Sequence, residues 1–292
     1  MKTSNHLLRR LTAALLAAVL ALSIALPVFA SDDGDTIYIN SVSDLLSLAK
    51  SCAYDQWSVG KTVILQKDLS LEGMLWEPIP SFSGQFKGNG HTISDLTITG
   101  QYSPAGLFGI VEEQGSIESL SVRGIVSVSD SADTTTGGIV GINHGTLINC
   151  QFTGVVTGDS EVGGIVGRNE SEGTIDHSTA RAIVTGKSST GGIAGYNLGA
   201  ITGCTNVGSI NTEYQEASLD TDGFTAKMVD QINNKMAAAD DDATNSVTNV
   251  ATDTGGIAGR SSGMILTSVN TGAVGYEHVG YNVGGIVGRT DG

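Results

Sequence analysis

Proline, cysteine and positive charge are all scarce in this chain. Its 292 residues hold four prolines, three cysteines and 15 lysines and arginines against 30 aspartates and glutamates. Three cysteines leave at least one unpaired, so a disulfide framework is not indicated. The acidic excess repels polyanions, which argues against nucleic acid and anionic lipid as partners. Only 15% of residues are charged, unusual for a globular enzyme. No H-E-x-x-H is present, which removes the zinc-peptidase helix. A G-x-x-x-x-G-K-[ST] loop is also missing, and Gly88-Asn89-Gly90 has Ile93 where a dinucleotide fingerprint needs its third glycine.

One apolar run stands out. Lys2, Arg9 and Arg10 precede Leu11 to Leu26, and Val28-Phe29-Ala30 follows with small residues at −3 and −1. This is the pattern of a secretory signal peptide over 1–30, and the run is shorter than the ~20 residues of a membrane span. Cleavage removes three of the 15 basic residues and leaves 12 against 30 acidic, a net charge of −18. The expected location is secreted or at the cell surface, with no membrane insertion after cleavage.

Glycine is abundant, with forty residues, and it recurs in a fixed setting. The corner Gly-Gly-Ile-Val/Ala-Gly places its second and third glycines at Gly138 and Gly141, Gly164 and Gly167, Gly192 and Gly195, Gly256 and Gly259, and Gly285 and Gly288. Ala105 to Gly109 is an earlier relative. Each complete unit adds a G-x-[IL] block, such as Gly173-Thr174-Ile175, and a third block opening at Gly124, Gly154, Ala182, Gly208 or Gly272. Three short β segments per 26–29 residues are the rhythm of a parallel β-solenoid. The glycines are expected to give backbone conformations that let the chain bend sharply. Ile139, Ile165, Ile193, Ile257 and Ile286 then form one ladder at roughly 4.8 Å per rung.

The period also places the cysteines. Cys150 and Cys204 hold one position in units two rungs apart, roughly 9–10 Å, beyond the ~7 Å that a disulfide tolerates between Cα atoms. They are expected to be reduced and stacked in the core with Ser178 between them.

The fold class is therefore all-β, a parallel β-helix with a small α+β N-terminal cap and one helical insertion. Residues 31–80 form the cap, with strands at Thr36–Asn40 and Thr62–Gln66 and a helix at Ser43–Ala53. Coils run over 81–210 and resume over 253–292. Between them lies an acidic insertion, 211–252. Within it Phe224, Met228, Ile232 and Met236 mark an amphipathic helix at 225–239, either packed on the solenoid flank or binding a partner. The chain stops just after a new corner, without a cap or sorting signal, so it is expected to be the N-terminal part of a longer protein.

The stretch "GGIVGINHGTLINCQFTGVVTG" resembles the GLUG repeat of large bacterial secreted and surface proteins, and the likeness covers about residues 62–292 apart from the insertion. It implies a surface or adhesin-like module whose partner is an unidentified glycan or protein. Related repeats accompany immunoglobulin-A-cleaving metallopeptidases as accessory regions.

Catalysis finds little support in the residues. Of the histidines left after cleavage, His91 sits in a tight turn and is expected to bond local backbone, while His144, His177 and His278 fall in different settings. Glycosidase chemistry needs two carboxylates about 5–10 Å apart across a groove. Asp130, Asp133, Asp159 and Glu161 precede corners and fit a solvated edge, with a calcium-binding row as the alternative. Arg168, Arg260 and Arg289 directly follow corners and form a short basic line. No catalytic, cofactor or metal residue is assigned. The expectation is a non-enzymatic stalk or interaction module; a carbohydrate-active β-helix is the competing one.

Overall fold

The computed structural model of the chain describes residues 35–54, 56–128, 134–212, 251–275 and 281–291. The expected signal peptide, the helix at 225–239, Asp130, Asp133 and His278 lie outside the described residues. What is described is a parallel β-solenoid with four sheets. A middle coil shows its course: Ser160–Gly163 in sheet I, Val166–Asn169 in sheet II, Thr174–Asp176 in sheet III and Thr179–Thr185 in sheet IV. The sheets hold five, seven, eight and eight strands, the last count including the short strand Ser209–Ile210, which pairs onto sheet IV beside its main path. All pairings are parallel and join one coil to the next, as in Gly163 with Gly191 and Gly191 with Gly255. The insertion is thus spliced between coils whose registers remain matched.

Four strands per coil replace the three expected from sequence. The additional one, in sheet I, runs through the polar stretch before each corner. There Val162 is the only fully buried apolar side chain of Ser160–Gly163, so alternation is too weak to announce a strand. A kink adds to the disguise. Glu161, Ser189, Asp253 and Asn282 occupy one column at φ of 49°, 49°, 55° and 59°, and the pairing resumes on either side of each.

The corner glycines are needed for a different reason from the one expected. None of Gly138, Gly141, Gly164, Gly167, Gly192, Gly195, Gly256, Gly259, Gly285 and Gly288 has a positive φ. Space is the constraint. A Cβ on Gly164 would lie 2.2 Å from the carbonyl oxygen of Gly192 in the next coil. One on Gly167 would lie 2.6 Å from the Thr136 nitrogen, in sheet I of the preceding coil. Sheets I and II therefore pack backbone to backbone, an approach that any side chain would block. The isoleucine ladder forms as expected: Ile139, Ile165, Ile193 and Ile257 are fully buried, and each N–H donates to the isoleucine carbonyl of the following coil at 2.9–3.1 Å or, for Ile257 to Ile286, 2.8 Å. Ile286, on the last rung, is 42% exposed.

At the N-terminus Thr36–Ile39 pairs with Thr62–Leu65, which pairs with Gln85–Lys87, so the cap strands are the first rungs of sheet III. The helix, α1, spans Val42–Ser51 and buries Leu45 and Leu48. Ser41 Oγ accepts the Asp44 N–H at 3.2 Å while the Asp44 carboxylate accepts the Asn40 N–H at 2.9 Å. The first bond satisfies a donor that a helix start leaves open, and the second ties the residue before the cap to the first turn. Trp76 and a triangle of Phe82, Phe86 and Phe108, with ring centroids 5.4–6.3 Å apart, fill the first coils.

The steric account of glycine separates two substitutions. Gly154 has φ +147° and its added Cβ would lie 1.9 Å from the Gly124 oxygen, whereas Gly285 meets nothing within 4 Å. Gly154→Ala is expected to cost about 2–4 kcal/mol, seen as a lower urea midpoint, while Gly285→Ala leaves the midpoint unchanged. Equal shifts in the two variants would refute the account.

Candidate functional site

Columns of identical positions, rather than a cleft, gather the polar side chains. Two columns are buried. Asn143 Nδ2 donates to Asn169 Oδ1 at 2.8 Å, Asn169 Nδ2 to Asn197 Oδ1 at 2.8 Å, and Asn197 Nδ2 to Ser261 Oγ at 3.2 Å. Each amide also donates to the carbonyl of the glycine opening sheet III: Gly145, Gly173 and Gly199. Three fully buried asparagines are tolerated because each amide finds a partner in a neighbouring coil, two of them on both sides, and another at its own turn. A second amide pair, Asn206 to Asn270 at 2.7 Å, repeats the device in sheet IV. Sequence reasoning missed both. The signal of the first was an asparagine recurring two residues after the corner's third glycine; that of the second was an asparagine two residues before Gly208 and Gly272.

The other buried column carries the cysteines. Cys150 N–H donates to Ser178 Oγ at 3.1 Å, Ser178 N–H to Cys204 Sγ at 3.4 Å, and Cys204 N–H to Ser268 Oγ at 3.2 Å. Cys52, Cys150 and Cys204 are all unpaired thiols. Burial pushes their pKa up to about 11, 12 and 11 respectively.

Sheet II carries the cationic line at the surface. Arg168, Tyr196, Arg260 and Arg289 follow one another in register. Tyr196 fills the rung that the sequence reading left blank. The Arg168 and Arg260 guanidinium carbons lie 5.2 and 4.9 Å from the Tyr196 ring centroid. Carboxylates neutralise the line. Arg168 Nη1 is 2.9 Å from Glu161 Oε1, and its Nε is 2.7 Å from Glu170 Oε1. Arg260 and Arg289 converge on Asp291, the latter at 3.4 Å, and Arg289 also lies 4.0 Å from Asp253. The bond from Arg260 holds the Asp291 carboxyl below its ordinary range.

The remaining candidates are also engaged. Asp159 is not a solvated edge: its carboxylate, 15% exposed, pairs with Lys187 at 2.6 Å. Glu161 is similarly occupied, accepting the Thr135 hydroxyl at 3.0 Å besides Arg168. His91 contacts the Asp68 carboxylate at 3.1 Å rather than local backbone. His177 contacts Asp176 at 2.8 Å and sits at φ 46° in the turn column shared with Ser119 and Asn149. Glu172 is exposed, its carboxyl held down by Ser171. Among the described residues no three His, Cys, Asp or Glu side chains come together as a metal site, and no helix is long and apolar enough to cross a membrane. A surface depression of about 430 Å³ is open to solvent and lined chiefly by polar groups, Ser81, Glu112 and Glu113 among them.

This geometry defines a solenoid repeat protein. Residues 158–185, one complete coil, match the family model described as the GLUG motif. Halomucin of Haloquadratum walsbyi is 32% identical over 155 residues, 49% of this chain but 2% of Halomucin. A protein of Evansella cellulosilytica, provisionally named a Gly-rich membrane protein, is 29% identical over 137 residues, 34% of this chain and 16% of that one. The chain thus spans a small fraction of the curated relatives it matches. A solved structure from Bacteroides ovatus, provisionally named an immunoglobulin A1 protease, superimposes with a TM-score of 0.45 at 19% identity, over 60% of this chain and 59% of that one.

Two measurements check the buried columns. Asn169→Ala strands amide groups of Asn143 and Asn197 and is expected to cost about 2–4 kcal/mol, read as a fall in urea midpoint. At pH 8 a thiol of pKa about 11 is ionised in roughly one molecule in a thousand. Iodoacetamide is therefore expected to leave all three cysteines unmodified by mass in the native chain and to alkylate all three in urea.

Proposed function

We propose that the chain is a non-enzymatic, exported or cell-surface repeat module, a stalk or adhesin-like element that presents its outer faces to a glycan or protein. One observation carries this reading. The carboxylates nearest the cationic line are spent on ion pairs: within one coil Arg168 holds Glu161 and Glu170, and between neighbouring coils Lys187 holds Asp159. An inverting or retaining glycosidase keeps one carboxyl protonated and the other available to water or substrate across a groove. A carboxylate already occupied by a cation of its own fold is not free to meet a water or a substrate. The named relatives are compatible with a long repeat-bearing partner chain, and they bring no activity to this one.

Incubating the exported chain with plant, host and bacterial glycans tests the reading. No new reducing ends and no unsaturated products are expected from any of them. Release of either from one glycan, lost on removing a single carboxylate, would establish the carbohydrate-active alternative.

A further inference from the structure

Charge is sorted by face. In sheet IV the strands Ser121–Val128, Gln151–Thr157 and Thr179–Thr185 contain no acidic residue and two charged ones, Arg123 and Arg181, while the adjoining strand Thr92–Gly100 carries Asp95, whose carboxylate accepts the Ser70 and Ser94 hydroxyls. Thr153 pairs with Arg123 on one side and Arg181 on the other, so the guanidiniums stand two rungs apart, roughly 9–10 Å. Both side chains are exposed, and neither has an ion-pair or hydrogen-bond partner among the described residues. Asp68 feels the charge of Arg123, but its carboxylate is held by His91 and the Thr92 N–H. The arginines of sheet II, by contrast, are all neutralised.

Beside the arginines runs a shallow apolar floor, Ile125–Val155–Ile183, with Ile125 and Val155 only 9% and 8% exposed and Ile183 half-buried, and beyond it a hydroxyl row, Ser127–Thr157–Thr185. Unpaired cations, an apolar strip and hydroxyls in parallel rows match one chemistry. A guanidinium takes a carboxylate in a two-bonded fork, an apolar strip receives the C–H face of a pyranose, and hydroxyls bond those of the sugar.

We propose that this face of sheet IV binds a linear glycan in which a uronate alternates with a neutral sugar, laid along the solenoid axis. A sugar advances by about the spacing of one rung. Uronates then fall opposite Arg123 and Arg181, and the neutral sugar falls opposite Thr153, whose hydroxyl is engaged by Gln151 at 3.3 Å. The acidity of the whole chain does not forbid this, because at physiological salt fields die away over about 8 Å and the local charges decide. Any neutral glycan lacks the group that the arginines select.

This proposal rests on reading the solenoid as an interaction module, and the test keeps the two apart. A labelled hyaluronan octasaccharide is titrated with the full exported chain at 0.15 M salt and followed by fluorescence anisotropy. Saturable binding is expected, weakened about tenfold by Arg123→Gln or Arg181→Gln and lost in the double variant. Arg289→Gln leaves it unchanged, and a neutral chitin octasaccharide does not bind. Absence of saturable binding, or undiminished binding by the double variant, overturns the site and leaves the module reading standing. Cleavage of the bound octasaccharide would overturn the non-catalytic reading and leave the site standing.

Discussion

Everything in this molecule is subject to one repeat distance. Parallel strands hydrogen-bond at about 4.8 Å, so each residue lies directly over its counterpart in the coil before. A position in the coil is consequently usable only by side chains that accept their own kind, or a chosen complement, at that spacing. Isoleucine satisfies it by dispersion contact at Ile139, Ile165, Ile193 and Ile257. Asparagine satisfies it because an amide has a donor and an acceptor to pass along the column. Glycine satisfies it where the neighbour is backbone, as at Gly164 beneath Gly192.

The same distance explains what the sequence disclosed and what it hid. Columns of identical residues were legible: the corner glycines, the isoleucine ladder, and Cys150 over Ser178 over Cys204 all followed from counting along the period. The first strands were legible as short strand-forming runs, and α1 from its apolar leucines. Sheet I was not, because its buried positions are filled by Thr136, Val162, Thr190 and Thr254 in turn and periodic hydrophobicity never accumulates. The role of glycine was misjudged for a related reason. A sequence shows where a Cβ is missing but cannot distinguish an unusual φ from a backbone pressed against another backbone, and here the second applies.

Columns of polar residues were hardest to read, since a single line of sequence holds no record of what lies one coil away. Glu161 looked like a solvated acid until Arg168 and Thr135 were seen beside it. Tyr196 looked unrelated to the arginines that flank it. Glu161 lies 7 positions from Arg168 but 26 from Thr135, and Tyr196 meets Arg260 across the insertion. The insertion interrupts the chain without shifting register, as the pairing of Ser188 with Thr252 demonstrates. Stacking energy between coils therefore sets the register, and chain connectivity does not.

A charge repeated on every rung would meet its copy at about 4.8 Å, a repulsion on the order of 1 kcal/mol even in water. The solenoid answers in two ways. On sheet II, Tyr196 separates Arg168 from Arg260 and offers its ring to both, and where Arg260 and Arg289 do become neighbours Asp291 bridges them. On sheet IV, Thr153 separates Arg123 from Arg181 and nothing bridges them. The first arrangement is closed, because each positive charge has been met from within the fold. The second satisfies the spacing rule while leaving its two charges unmet. Internal stacking requires the gap between those arginines but gives no reason for the arginines themselves. That difference makes sheet IV, and not the more conspicuous cationic line of sheet II, the face whose composition points outward to a partner.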